Sequence, residues 1–86
     1  MIIITSKVFD KKFKKLSKKL QLQAKLRIQL FLVDQYDVRL NNHFLHGDKK
    51  VFRSINISGD MRVIYEALEN KSVRFLDIDT HSNLYR

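Results

Sequence analysis

The sequence predicts an α+β domain of the order β-α-α-β-β-β, with two helices packed on one face of one sheet. Three observations carry this prediction: an apolar N-terminal run, a middle stretch with helical spacing of apolar residues, and three alternating runs in the last third. No proline, repeat or low-complexity linker marks a boundary within the 86 residues, so residues 1–86 form a single domain. A chain of this length supports one core with little to spare.

The first half of the chain predicts one strand and two helices. The opening Met and three isoleucines are too short for a signal peptide or a membrane span and predict a short strand, after which Thr5 or Ser6 caps a helix. Within residues 22–36 the apolar side chains alternate with polar ones, as in a strand. Strong helix formers nevertheless dominate this stretch, and its apolar residues also form a wide helical stripe. We interpret residues 22–36 as the second helix. The stripe of the first helix consists of Phe9, Phe13, Leu16 and Leu20.

The second half predicts loops followed by most of the sheet. Asparagine pairs and glycine mark loops at residues 41–42 and 47–48. Residues 51–85 contain three runs of β-branched and aromatic residues, broken at residues 59–60 and 70–72, which predicts a three-stranded antiparallel meander. Because the helices cover one face of this sheet, the other face is open except where the C-terminal tail crosses it.

The charge balance is strongly basic. Seventeen Lys and Arg stand against nine Asp and Glu, which gives a formal net charge of +8 and a pI near 10.0. Such a field attracts nucleic acid, an anionic membrane surface or an acidic protein, and charge alone does not choose among them. A lysine-rich face of the first helix is either simply solvated or contacts nucleic acid. Its members are Lys7, Lys11, Lys14, Lys15 and Lys18.

The chain has few residues that suit a metal or a nucleotide cofactor. It lacks cysteine, which excludes disulfides and thiolate metal sites and fits a reducing cytoplasm. His43, His46 and His81 give only a weak metal pattern, and isolated surface histidines are the simpler interpretation. The only glycines, Gly47 and Gly59, form no phosphate-binding loop. We therefore expect neither a metal nor a cofactor.

Arginines, a histidine and a tyrosine on the predicted sheet suit cleavage of RNA without a metal. In that reaction the neighbouring 2′-hydroxyl attacks phosphorus, so the protein removes a proton, stabilises phosphate charge and protonates the leaving 5′-oxygen. Histidine or a carboxylate transfers the protons, and the arginine fork matches a phosphate. The candidates are Arg53, Arg62, His81, Tyr85 and Asp60.

Five segments, taken in order, resemble the RelE/ParE toxin superfamily and in particular its YafQ-type branch. They are FDKKFKKL at residues 9–16, LNNHFLHG at 40–47, FRS at 52–54, RVIY at 62–65 and THSNLY at 80–85. Each segment alone is weak, but together they span nearly the whole chain in the right order. The resemblance implies a small sheet backed by two N-terminal helices.

The resemblance also implies a toxin of a type II toxin–antitoxin pair. Such toxins are commonly metal-independent endoribonucleases that cut mRNA in the ribosomal A site, so the ribosome and mRNA are expected partners, in the cytoplasm and away from membranes. A cognate antitoxin silences them, and the basic surface favours one that is acidic and partly disordered when free. We expect this antitoxin to cover Arg62 or His81, or to displace the C-terminal tail.

Residue roles follow from the same resemblance. His43 falls on the loop histidine of the YafQ-type motif, Asp60 on the acidic residue at the hairpin, and His81 on the general acid or base. Arg62 matches the arginine that meets the phosphate, and Tyr85 matches the terminal aromatic residue that stacks on a base. The lysines expected to hold ribosomal RNA through its phosphates are Lys11, Lys14, Lys15 and Lys18.

Two residues depart from the YafQ-type pattern. Asn56 stands where these toxins have a histidine, and Asp77 where they tend to have an arginine. Because Asn transfers no protons and Asp repels phosphate, His81 would carry most of the acid–base role, with Arg53 or Arg62 supplying the lost cation. Two alternatives therefore stay open: a ParE-like gyrase inhibitor without nuclease activity, against which His81 argues, and an inactive module that only binds an antitoxin.

Overall fold

The computed structural model describes residues 1–45 and 51–84. In chain order the elements are β1 (Ile2–Thr5), α1 (Lys7–Lys15), α2 (Lys18–Val33), a 3-10 turn (Val38–Leu40), β2 (His43–Phe44), β3 (Arg53–Ser58), β4 (Met61–Ala67), β5 (Ser72–Thr80) and α3 (His81–Leu84). The loop predicted at residues 47–48, together with His46 and Tyr85, lies outside the described residues.

The strands form one five-stranded sheet in the order β1-β5-β4-β3-β2. Strand β1 pairs with β5 in parallel, and the remaining pairs are antiparallel. The α+β class, the N-terminal strand and the meander are confirmed, whereas the expectation of a purely antiparallel three-stranded sheet is wrong. Parallel neighbours need a crossover; α1 and α2 provide it by carrying the chain from β1 to the opposite edge, where β2 begins.

A serine caps the N-terminus of each of the two long helices. Ser6 Oγ accepts a hydrogen bond from the Phe9 backbone N–H at 3.0 Å and donates one to the Leu76 carbonyl at 2.7 Å. Ser17 Oγ accepts from the Leu20 N–H at 3.2 Å and so begins α2 four residues earlier than the predicted boundary at residue 22. Leu20 therefore belongs to α2, and the four-residue stripe predicted for the first helix is divided between two helices.

The main core lies between the helices and one face of the sheet. Phe31 of α2 contacts Tyr65 edge-on, with ring centroids 5.0 Å apart, and Phe75 with centroids 5.8 Å apart. The fully or nearly buried members are Phe9, Ala24, Phe31, Leu40, Ile55, Ile57, Val63, Tyr65, Val73, Phe75 and Ile78. Within residues 1–45 and 51–84, no helix is both long and apolar enough to cross a membrane.

A second, smaller apolar cluster lies on the other face of the sheet. Leu84 of α3 packs there against Leu45 and Ile64, with Phe52 and Leu76 partly buried beside them. The last described helix thus crosses the face that α1 and α2 leave uncovered, as the sequence predicts. The rest of this face is available for a functional site.

Replacing Ser6 by alanine should lower the free energy of unfolding by about 2 kcal/mol, since it removes a helix cap and leaves the Leu76 carbonyl without its donor. Ser17→Ala is the matched control: it removes a cap alone and should cost about 1 kcal/mol. Urea unfolding of both variants measures the difference. Equal losses would mean that the bond from Ser6 to Leu76 contributes nothing.

Candidate active site on the open face of the sheet

Strand register brings polar side chains together on the face away from α1 and α2. Successive residues of a strand point to opposite faces, so the neighbours of core residue Val63 point to the open face. Two cross-strand rows result: Asn56, Arg62 and Asp79 in one, and Ser54, Ile64 and Asp77 in the other. Arg62, a predicted site residue, therefore lies on one surface with Asn56 and Asp77, the two residues that depart from the YafQ-type pattern.

Arg62 is the buried cation of this surface, with only 6% of the residue exposed. Its Nε donates to Ser54 Oγ at 2.8 Å, and its Nη2 donates to the Asn41 carbonyl at 2.8 Å and to the Ser54 carbonyl at 3.2 Å. A buried charge is tolerated only when hydrogen bonds replace its water. These bonds hold the guanidinium in one orientation under the open face.

His43 shares the Asn41 carbonyl with Arg62. The Nδ1 atom of His43 lies 2.8 Å from this oxygen and 3.4 Å from Arg62 Nη2. A carbonyl oxygen only accepts, so Nδ1 carries the proton and Nε2 of the neutral ring keeps its lone pair. Asn41 has φ 45° and ψ 53°, a left-handed conformation that asparagine tolerates better than most residues. The arrangement gives His43 the tautomer of a base.

His81 and Asp60 meet through the backbone. His81 begins α3, and its N–H donates to the Asp60 carbonyl at 2.7 Å, which ties α3 to the turn between β3 and β4. Gly59, with φ 54°, supplies the left-handed residue of this turn. Both His81 and Asp60 are exposed. The predicted pair is thus at one end of the open face, at the surface.

A polar network joins α1, β5 and α3 beside these residues. Lys12 Nζ lies 2.8 Å from Asp77 Oδ1 and 3.1 Å from Asp79 Oδ2. Asp79 Oδ1 also accepts from Asn83 Nδ2 at 2.9 Å and from the Thr80 N–H at 2.8 Å. The carboxylate of Asp77, expected to repel phosphate, is therefore ion-paired with a lysine of α1.

Hydrogen bonds decide the direction of the pKa shifts in this network. The bond from Asn83 outweighs burial and holds the pKa of Asp79 below its ordinary value, with Thr80 and Lys12 acting in the same direction. The bond to Asp77 is the main reason why the pKa of Lys12 is raised, and Asp79 adds to it. Both shifts favour the charged forms of Lys12 and Asp79, so the network is an ionic connection between α1 and α3.

Asn56 carries a buried acceptor without a donor. Among the described residues, no hydrogen-bond donor reaches its Oδ1. Asn56 is the cross-strand neighbour of Arg62 and occupies the position where the sequence departs from the YafQ-type pattern. An unsatisfied buried polar atom is uncommon in a native fold and marks a position with unused binding capacity.

Arg53 lies on the opposite face of the sheet. It pairs across the strands with Phe44 and with Tyr65 of the main core, so its side chain shares their face. Its Nε donates to Asn42 Oδ1 at 2.7 Å, and its guanidinium carbon lies 4.1 Å from the Phe44 ring centroid and 5.3 Å from that of Tyr36. The structure does not bring Arg53 to Arg62 and His43.

The predicted lysines occupy two helices rather than one. Lys11, Lys14 and Lys15 are exposed on α1, whereas Lys18 is the first residue of α2. Sequence reasoning missed Lys12, which reaches β5, and also Ser54 and Asn41, whose oxygens hold Arg62. Ser54 and Asn41, which supply these acceptor oxygens, lie inside segments that carry the resemblance, but no spacing rule indicates their role.

Comparison with known proteins gives one family. The model for "Bacterial toxin of type II toxin-antitoxin system, YafQ" matches residues 1–86. Among solved structures, YafQ from E. coli strain BL21(DE3) is 24% identical with a TM-score of 0.79, over 98% of this chain and 97% of that one. YafQ in the E. coli DinJ–YafQ toxin–antitoxin complex is 25% identical with a TM-score of 0.70, over 98% and 96%.

A third solved structure extends the similarity to another organism. A metal-bound toxin from Helicobacter pylori is 26% identical with a TM-score of 0.71, over 98% of each chain. No curated protein sequence matches the chain. Within the described part of the chain, no three His, Asp or Glu side chains cluster in a way that could hold a metal ion.

Asp79→Asn should lower the free energy of unfolding by about 1 kcal/mol near neutral pH and weaken its dependence on acid. The pKa of Asp79 is lower in the folded protein than its ordinary value of 3.8. Its carboxylate therefore stabilises the fold above that value, and the contribution is lost as the pH falls through the folded pKa. Urea unfolding at about pH 7 and about pH 3 measures both effects.

The control for Asp79→Asn is Glu69→Gln, which removes one negative charge from an exposed residue outside the network. It should leave stability at neutral pH unchanged within about 0.5 kcal/mol. If both variants lose the same stability at neutral pH, net charge rather than the network is responsible.

Proposed function

The chain belongs to the YafQ family of bacterial toxins of type II toxin–antitoxin systems, and we propose that it is an endoribonuclease that cuts mRNA on the ribosome. One observation carries the proposal: a buried, oriented arginine and a histidine with an available Nε2 share one carbonyl on an open sheet face. These groups supply a proton acceptor and a positive charge, which are two of the three requirements of phosphate cleavage by a 2′-hydroxyl; the third is an acid for the leaving oxygen.

We assign the first proton transfer to His43. Its Nε2 takes the proton of the 2′-hydroxyl as the 2′-oxygen forms its bond to phosphorus, and the bond between phosphorus and the 5′-oxygen breaks. The Nδ1–H bond to the Asn41 carbonyl keeps the ring in the required tautomer and stabilises the imidazolium that forms. The products are a cyclic phosphate and a 5′-hydroxyl.

His81 is assigned as the acid that protonates the leaving 5′-oxygen. It is exposed at the start of α3, and its backbone bond to Asp60 sets the distance between α3 and the turn after β3. Asp60, which is also exposed, assists by attracting the protonated imidazole ring. Tyr85, the next residue but one to Asn83, keeps its proposed role of stacking on a base.

Arg62 acts mainly through its charge. With 6% of the residue exposed, it has little surface to offer to a phosphate. A positive charge under a low-dielectric surface still stabilises negative charge that develops above it. Arg62 also holds the Asn41 carbonyl and thereby orients His43. The exposed lysines Lys11, Lys14, Lys15 and Lys18 supply the phosphate contacts with ribosomal RNA.

The proposed protein partner is a cognate antitoxin. The similar YafQ chain was solved as a complex with the antitoxin DinJ. A toxin with a net charge of +8 favours an acidic antitoxin. The unsatisfied Asn56 Oδ1 and the histidine missing at that position favour a second candidate, an inactive module that only binds the antitoxin.

His43→Ala and His81→Ala should each lower mRNA cleavage by about a hundredfold or more, because each removes one proton transfer. The measurement is induced expression without antitoxin, with growth scored and mRNA 5′ ends mapped. Codon-phased cuts that disappear in both variants support the assignment. Growth arrest without cuts in the parent chain points to a protein target such as gyrase, and no arrest points to the inactive module.

Arg62→Lys should lower cleavage by about tenfold, because a lysine keeps the charge but not the fork that holds Ser54 and Asn41. Arg53→Lys is the matched control, with the same change on the opposite face of the sheet. It should destabilise the protein through its lost contacts with Asn42 and Phe44 and leave the cleavage rate of the folded protein unchanged. Cleavage that depends equally on both arginines would contradict the assignment of the site to the open face.

A further inference from the structure

Helix α3 carries His81, the residue assigned as the acid, and it consists of only four residues, His81–Leu84. A helix of one turn is not stable through its own hydrogen bonds. The position of α3 therefore depends on the residues that contact it. Two contacts hold its ends: the His81 N–H donates to the Asp60 carbonyl at 2.7 Å, and Leu84 packs in the smaller apolar cluster.

Asn83 makes a third contact, between α3 and β5. Its Nδ2 donates to Asp79 Oδ1 at 2.9 Å, and its backbone N–H donates to Thr80 Oγ1 at 3.3 Å. The bond from Asn83 is also the largest cause of the lowered pKa of Asp79. Because Asn83 lies two residues after His81 in the same turn, the bond that holds Asn83 also limits the rotation of the turn that carries His81.

Lys12 of α1 holds the same carboxylate at its other oxygen. Lys12 Nζ lies 3.1 Å from Asp79 Oδ2, whereas Asn83 contacts Oδ1. Each oxygen of the carboxylate therefore has its own partner, which fixes the plane of the group between α1 and α3. Lys12 Nζ also lies 2.8 Å from Asp77 Oδ1, so two ion pairs secure the ammonium group to β5.

The part of β5 that leads into α3 extends beyond its parallel neighbour. The pairing with β1 covers Ser72 to Phe75 and ends there, whereas β5 continues through residues 76–80. Helix α1 packs beside β5 and is fixed by the core through Phe9, whose ring centroid lies 5.6 Å from that of Phe75. Lys12 thus connects a helix that the core holds in place to the strand end that carries α3.

The exposure and charge of this network indicate orientation rather than stability or RNA binding as its main effect. The Lys12 side chain is 39% exposed, and ion pairs that water screens to this extent add little to stability. The ammonium group also faces two carboxylates. Its charge is compensated, so Lys12 has less attraction for a phosphate than the exposed lysines of α1.

We propose that Lys12 is a positioning residue for the acid step of RNA cleavage. Through Asp79 and Asn83 it fixes α3, and α3 places His81 at the leaving 5′-oxygen. The inference rests on the proposed function for the role of His81. The proton still passes from the protonated His81 ring to the 5′-oxygen as the bond between this oxygen and phosphorus breaks, and Lys12 takes no part in the transfer.

Single-turnover cleavage of mRNA on purified, programmed ribosomes tests the proposal with the full chain. Lys12→Met and Asn83→Ala should each lower the rate at saturating toxin by about tenfold, because a misplaced acid transfers its proton poorly. The toxin concentration that gives half the maximal rate should change by less than about twofold, since substrate binding is not affected. Both side chains are at least partly exposed, so the variants should keep the circular dichroism of the parent chain.

Two further variants serve as controls for the charge of Lys12. Lys12→Arg keeps the charge and the hydrogen-bond donors, and it should retain most of the cleavage rate. Lys25→Met removes an exposed lysine of α2 that lies outside the network, and it should cleave mRNA as the parent chain does. Equal losses in Lys12→Met and Lys25→Met would mean that net charge is responsible, which would overturn the proposal.

The His81→Ala background separates positioning from every other role of Lys12. In this background Lys12→Met should cause no further loss beyond about twofold, because no acid remains to be placed. An additional tenfold loss that persists without His81 would overturn the proposal. Lys12 would then act on RNA binding or on folding independently of the acid.

Amide ¹⁵N relaxation tests the positioning without RNA. In Lys12→Met and Asn83→Ala the order parameter of the His81 N–H should fall from about 0.85, typical of a rigid backbone, to about 0.6. The order parameter of Val63 in β4 should stay unchanged. An unchanged value at His81 would overturn the proposal, whether or not the chain cuts mRNA. A lowered value together with no cleavage by the parent chain would refute the proposed function and still support Lys12 as the residue that fixes α3.

Discussion

The two-residue alternation of β3 and β4 is the constraint on which the rest of the structure depends. These strands lie inside the sheet and are covered on one face by helices and on the other by α3. Val63 therefore has to be apolar, whereas its neighbour Arg62 points to a face that is only partly covered. In so small a domain one face of a single sheet packs against the core, and the other face carries the residues of the candidate site. A slip of one residue in register would exchange the two faces.

This arrangement explains how a small core tolerates a buried arginine. The oxygens of Ser54 and Asn41 take the place of water as hydrogen-bond acceptors for the Arg62 guanidinium. The strands and the 3-10 turn already hold these oxygens in position. Asn41, which has a left-handed backbone conformation, connects the fold to the candidate site. Its carbonyl accepts hydrogen bonds from both Arg62 and His43. Stability and orientation of the site are thus coupled through the same hydrogen bonds.

The sequence predicts what depends on local periodicity and turn residues. The second helix, the Ser6 cap and the meander follow from such patterns and are present, although the helix predicted over residues 22–36 is Lys18–Val33 in the structure. The parallel pairing of β1 with β5 joins residues about 70 positions apart, as Ile2 with Ser72, and no local pattern contains it. For the same reason the Lys12 ion pairs with β5 could not be predicted. That Arg53 and Arg62 occupy opposite faces depends on register across two strands, which the alternating runs leave undetermined.

Helix α2 is apolar on two sides, and this feature explains why its sequence pattern is ambiguous. In the sequence it produces both an alternating pattern and a wide helical stripe, because Leu22 and Leu26 belong to a different face from Ala24 and Phe31. In the structure it leaves a face that no element of residues 1–45 and 51–84 covers. The feature that makes the helix hard to identify from sequence is therefore the feature that leaves Leu22 and Leu26 exposed. Since this exposed face of α2 and the candidate active site lie on opposite sides of the sheet, we expect substitutions on either of them to leave the other unchanged.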